Sequence, residues 1–132
     1  MKVRVPKTEC ALLFGAVPVE VEEKLNSLSM PVRRIADEDW GQKIGFCAGV
    51  PGYERSEAVA VEPLEDDAKM LVLQASDRRL DRVLQQLRGL PTGPKAVVTP
   101  HNINWTGEEL YRELLREREA MKRRISERLG EK

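Results

Sequence analysis

Twice along this 132-residue chain a short apolar run is followed by an amphipathic helical stripe and then a second short strand, and this repeated order restricts the fold more than any other feature. In the first half, Ala11-Leu12-Leu13-Phe14 is a continuous apolar run that stops at Gly15, the pattern of a buried strand of the parallel type. Pro18 suits the first position of a helix whose Val21, Leu25 and Leu28 return to one face, and Pro31 introduces a strand over residues 32–36. In the second half a strand over residues 70–75 leads to Asp77, a helix cap. Leu80, Val83, Leu84 and Leu87 then form one stripe. Gly89, Pro91, Gly93 and Pro94 end that helix and set up a strand over residues 96–99.

Placing Leu13 over Leu73 and Trp40 over Trp105 puts the same elements in the same order in both halves. The register shifts from 60 to 65 residues between these anchors, a difference assigned to the Gly/Pro turn before Lys95, where insertion costs little. The predicted fold is α/β. Two related strand-helix-strand units form one mostly parallel four-stranded sheet with packed helices, a single domain of two pseudo-repeats (about 10–52 and 70–129) with a linker at about 55–69. The alternative is a ferredoxin-like α+β sandwich that uses Ala58-Val59-Ala60-Val61 as a further strand. A length of 132 residues with 41% hydrophobic content supports one core rather than two.

Lys+Arg and Asp+Glu are equal at 22 each, so bulk charge gives no reason to expect nucleic acid or an anionic membrane as partner. The distribution is uneven. Residues 1–67 hold 8 basic against 13 acidic side chains and the remainder 14 against 9, a polarity that reads first as the sum of solvated helix faces and second as a bias toward docking of the halves or antiparallel self-association. Cys10 and Cys47 have no paired spacing and only one histidine accompanies them, so buried free thiols are expected, with no zinc and no cofactor. Lys2, Arg4 and Lys7 before residues 11–17 imitate a signal peptide, but the apolar run is short and lacks a cleavage pattern. A cytoplasmic location without membrane association is the expectation.

The richest local sequence is Lys95 to Glu109, where a strand runs through Thr99-Pro100-His101-Asn102-Ile103-Asn104-Trp105-Thr106 into a helix. Thr106 with Glu109 three residues on is a capping box, and Trp105 before it with Leu110 after it is a hydrophobic staple. Pro100 holds Thr99 extended, while Asn102 and Asn104 are able to fold the loop through side-chain bonds. In open α/β sheets ligands sit beyond the carboxyl ends of strands, which makes Thr99, His101, Asn102 and Asn104 candidate ligand-binding residues. Asp37 and Asp39, after the equivalent strand of the first half, join them if the two loops face one crevice. A carboxylate there would orient His101 for acid-base work. Asp39 with Gln42 three residues on also reads as the start of a short helical segment before Trp40 is passed.

Gly45, Gly49 and Gly52 belong to turns and short helix, because no strand precedes them and no Lys-Ser or Lys-Thr follows as in a phosphate loop. A long last helix runs from Gly107 toward Leu129. Leu110, Leu114, Met121 and Ile125 form its interrupted apolar stripe, and Glu117 and Arg124 break any heptad seam, which disfavours a long coiled coil. The helix end reads first as a solvated face, then as a partner-docking or dimer helix, and last as a nucleic-acid contact.

The pattern Lys95-Ala96-Val97-Val98-Thr99-Pro100-x-Asn102-x-x-Trp105-Thr106, followed by Glu109-Leu110 and a charged helix, resembles a small bacterial family, domain of unknown function family 3783, over roughly Met70 to Arg118. The Lys43-Ile44-Gly45-Phe46-Cys47-Ala48-Gly49 run looks like the usual N-terminal companion of that domain. The resemblance implies a cytoplasmic α/β protein with no assigned activity, no catalytic residues to carry over, and a position at His101 that admits other residue types. The expected function is that of a non-catalytic binding or regulatory module acting through protein contacts, self-association or a small ligand. The competing reading is a small enzyme using His101 with Asp37 or Asp39 as an acid-base pair.

Overall fold

In the computed structural model, which describes residues 9–57 and 61–129, the alternating pattern becomes nine elements in chain order. They are β1 (Cys10–Gly15), α1 (Val19–Ser27), β2 (Val32–Ile35), a 3-10 helix (Asp37–Gly41), α2 (Ile44–Cys47), β3 (Lys69–Gln74), α3 (Asp77–Gln86), β4 (Lys95–Val97) and α4 (Gly107–Arg128). The four strands form one sheet in the order β2-β1-β3-β4. The two continuous apolar runs take the centre, where both faces are covered and polar side chains would be costly.

Each strand-helix-strand unit forms a parallel pair, β1 with β2 and β3 with β4. The units join through β1 and β3, which run antiparallel with Cys10 opposite Gln74 and Gly15 opposite Lys69. The sheet is thus mostly parallel with one antiparallel pair at its centre. Parallel edge pairs, with helices on both faces, differ from the ferredoxin-like alternative. Residues 58–60 of the strand proposed for it lie outside the described residues, as do Lys2, Arg4 and Lys7.

Alternation along β1 and β3 divides the core in two. Leu13, Leu71 and Leu73 face α1 and α3, where Val21, Leu25, Leu80, Val83 and Leu87 close over them. Leu12, Phe14, Met70 and Val72 face the other way, against Trp40, Ile44, Ile103, Leu110 and Tyr111 from the 3-10 helix, α2, the loop before α4 and the first turns of α4. The edges are short and charged: β2 exposes Arg33 and Arg34, and β4 has three residues beginning at Lys95. Such edges discourage further strand pairing.

Several boundaries differ from the sequence reading. Pro18 is the N-cap of α1 and not its first helical residue. Ser76, accepting from the Arg79 amide at 3.4 Å, caps α3 in place of Asp77, which occupies the first turn. The short helix after β2 begins at Asp37 with Ala36 as its cap, so Asp39 lies inside the helix and not at its start. There Asp37, Glu38 and Asp39 meet the positive helix end. The strand expected over 96–99 ends at Val97, because the Asn102 side chain takes the Val97 carbonyl and draws the chain into a turn. The five-residue offset between halves is also divided differently. Counted from Ala11 and Leu71, the partner positions Val32 and Lys95 put three residues of the offset before β4, and the other two lie between β4 and Trp105.

Gly15 marks the tightest joint of the sheet. Its φ is +72°, and a Cβ there would lie 2.0 Å from the Ala68 carbonyl oxygen, which already accepts the Ala16 amide at 2.9 Å. Gly89 has a similar φ of +81° with open space around it. Gly15→Ala is expected to cost about 3 kcal/mol or more, and Gly89→Ala only about 1–2 kcal/mol of left-handed strain. Urea unfolding of both variants checks this: equal losses would remove the Ala68 contact as the cause.

Candidate functional site

The loop between β4 and α4 is built from its own side chains. The Thr99 amide donates to Asn102 Oδ1 at 2.9 Å while the Asn102 amide donates to Thr99 Oγ1 at 3.0 Å, a reciprocal turn that closes around Pro100 and His101. Asn102 Nδ2 reaches back to the Val97 carbonyl at 3.0 Å, so the side chain is buried with its main polar groups occupied. The Thr106 hydroxyl accepts the Glu109 amide at 3.1 Å and the Glu109 carboxylate accepts the Thr106 amide at 2.9 Å, which completes the capping box. Trp105 is half-buried against the cluster that contains Leu110.

The same loop docks on the first half of the chain through its backbone. The Ile44 amide donates to the Trp105 carbonyl at 2.8 Å, the Gly45 amide to Ile103 at 2.9 Å, and the Gly107 amide to Gln42 at 3.1 Å. Lys43 and Thr106 form an isolated antiparallel bridge inside this set. Close approach requires a missing side chain: a Cβ on Gly107 would meet Phe14 Cε1 at 2.6 Å. Trp40 sits between Phe14 and Tyr111, tilted to the first and edge-on to the second, with ring centroids 5.0 and 5.3 Å away.

The candidate ligand residues divide among separate tasks. Asn104 Oδ1 accepts the Tyr53 hydroxyl at 2.6 Å. Asp39 holds Arg55 through both carboxylate oxygens, at 2.7 and 3.3 Å, and the guanidinium lies over the Phe46 ring. Asp37 lines an open pocket of about 470 Å³ with Gly15, Trp40, Glu62, Glu65 and Asp66, an acidic depression whose lining does not include His101. His101 is exposed, and its ring meets the edge of Trp105 at 5.1 Å. Among the described residues neither Asp37 nor Asp39 is hydrogen-bonded or ion-paired to His101. The antiparallel centre of the sheet explains this. The carboxyl ends of β2 and β4 point in opposite directions, so the single crevice that would have brought the two loops together at strand ends does not form.

Two residues important to this geometry carried no sequence signal, and a third, Gln42, carried only a helix-start signal unrelated to its role. Tyr53 and Arg55 find their partners from a turn-rich segment without periodicity. Gln42, buried, exchanges two hydrogen bonds with the Ser56 backbone at 2.8 and 3.1 Å. Both thiols are buried and free. Burial, and then the nearby Asp39 charge, pushes Cys47 up to about 11, and burial likewise raises Cys10, so neither is a ready nucleophile at neutral pH. No group of three His, Cys, Asp or Glu side chains is placed to hold a metal among the described residues, and no helix there is long and apolar enough to cross a membrane.

Residues 69–121 match the family described as domain of unknown function (DUF3783), so that this segment, from β3 into α4, is similar to that family. No curated protein and no solved structure matches the chain. The matched segment contains the whole turn and capping box just described, whose hydrogen bonds account for Thr99, Asn102 and Thr106 structurally.

Two measurements test this reading. Asn102→Ala leaves the Thr99 amide and the Val97 carbonyl without their partner and is expected to cost about 2–3 kcal/mol in urea unfolding, against less than about 0.5 kcal/mol for His101→Ala. Comparable losses would contradict the assignment of the loop to Asn102. The second concerns Cys47. Below its ordinary 9.0 the thiol is neutral folded or unfolded; from there to about 11 the unfolded chain releases the proton first, so stability falls as pH rises through this window. Cys47→Ala should flatten that alkaline decline in thermal midpoint, and an unchanged slope would count against it.

Proposed function

We propose that this protein is a non-catalytic binding module that works through protein contacts, with the free half of α4 as its docking surface. The observation that carries the reading is the exposure of one apolar face. From Arg116 to Leu129 every residue except Ala120 is exposed, about 20 Å of helix at the usual rise. Met121, Ile125 and Leu129 are 59%, 54% and 68% exposed; Val19 is the other large apolar side chain in that condition among the described residues. Leu110, Leu114, Met121, Ile125 and Leu129 fall within about 100° of helix arc, so the face buried at the start of α4 continues outward uncovered.

A small-ligand role at the β4 loop is less well supported, since Thr99, Asn102 and Asn104 spend their side chains on internal bonds. The free buried thiols fit a reducing, cytoplasmic setting. The same order of elements, each half giving one parallel strand pair flanked by a helix, supports descent of the halves from one duplicated unit within a single domain, with residues 55–69 as the join.

Photo-crosslinking groups placed at Met121 or Ile125 in native cells should capture a discrete protein adduct, and groups at Glu119 or Arg123 on the opposite face should not. Equal yields from both faces, or none from either, would sink the docking reading. Ile125→Glu should abolish the adduct while changing stability by less than about 0.5 kcal/mol, because the position is outside the core.

A further inference from the structure

We infer that the partner of this face is a second copy of the same chain, paired antiparallel along α4. The inference rests on the docking reading above and adds the charge pattern beside the apolar stripe. Glu113, Glu117, Arg124 and Arg128 all lie on one flank of that stripe, acidic toward the start of the helix and basic toward its end. Glu113 already holds Arg116, whereas Glu117, Arg124 and Arg128 make no ion pair among the described residues. Helix position explains this: Glu117 and Arg124 are two turns apart and out of mutual reach in one chain.

An antiparallel two-fold axis between Ala120 and Met121 brings these charges together. In that register Glu117 lies opposite Arg124 of the second copy and Glu113 opposite its Arg128, and symmetry repeats both pairs. The same register places Leu114 between Ile125 and Leu129 of the second copy, while the two Met121 side chains meet at the axis. Charge and apolar packing therefore select one alignment, with knobs seated between residues of the facing helix. A parallel pair would instead put the same flank of the two helices on opposite sides of the seam, so Glu117 and Arg124 would not meet across it. The residues that interrupt a parallel heptad seam are complementary in the antiparallel one.

Antiparallel pairing also carries each basic helix end toward the body of the other chain. That body includes the acidic first half, where residues 1–67 hold 13 acidic against 8 basic side chains. The charge imbalance between halves thus works in the same direction as the flank pairs.

The test is a charge swap in the full chain, read by sedimentation equilibrium over a dilution series. Wild type is expected to dimerise. Glu117→Arg and Arg124→Glu should each weaken the dimer about ten-fold, because symmetry turns two attractions into two repulsions. The double variant E117R/R124E should regain wild-type affinity, and an equimolar mixture of the two single variants should form heterodimers. Both substituted positions are exposed, so circular dichroism should be unchanged throughout. A monomer at every concentration overturns the inference, as does a dimer whose double variant stays as weak as the singles. If the chain is monomeric while crosslinks still form at Met121 to one other protein, self-pairing fails and the docking reading stands.

Discussion

The antiparallel pairing of β1 with β3 is the interaction on which the rest of the molecule depends. Each is a six-residue strand buried on both faces, and each already carries a parallel neighbour on its outer side. Joining them antiparallel gives the sheet two carboxyl ends, one for each half. The rule that α/β sheets gather ligands at one carboxyl end presupposes parallel strands throughout. Here that premise holds only within each half, which is why Asp39 pairs with Arg55 and His101 lies against Trp105, without a shared crevice.

The segment after β4 then has a constructional task. Three backbone hydrogen bonds tie residues 103–107 to residues 42–45, far away in sequence, and Gly107 lets the start of α4 rest against Phe14. Trp40 fills the space between these segments, edge-on to Tyr111. The loop that resembles a site in the sequence is therefore a joint between the halves. Its polar residues are present because a backbone leaving a short strand and entering a helix has amides and carbonyls to satisfy, and a buried position leaves no water to satisfy them.

Much of this was legible. Continuous apolar runs located the central strands, the stripes of α1 and α3 located the face they cover, and the Thr106–Glu109 box fixed the start of α4. Strand direction at the centre was not legible, because an apolar run buried on both faces reads the same in either pairing. Caps slipped by one residue where Ser76 and Asp77 are adjacent and both suitable. Asp39 looked like a catalytic partner because its true one, Arg55, comes from a stretch rich in Gly and Pro whose path no periodicity reveals.

The direction of α4 follows from how firmly its first turn is held. Capping box, backbone tie to Gln42 and the Trp40–Tyr111 contact all act at the base of the helix, Leu114 and Leu115 are the last side chains packed on the core, and the turns from Arg116 onward are exposed. A helix of 22 residues is about 33 Å long, so a tilt of about 10° at its base would move the tip by roughly 6 Å. That sideways displacement is more than half the usual separation of about 8–10 Å between packed helix axes and would carry Ile125 and Leu129 off a facing surface. A side chain at position 107 would push against Phe14 and the Trp40 carbonyl and so act on the far end of the helix without touching it. The glycine is thus a constraint on the placement of the exposed face as much as on the core, and the joint between the halves and the free helix face are mechanically one feature.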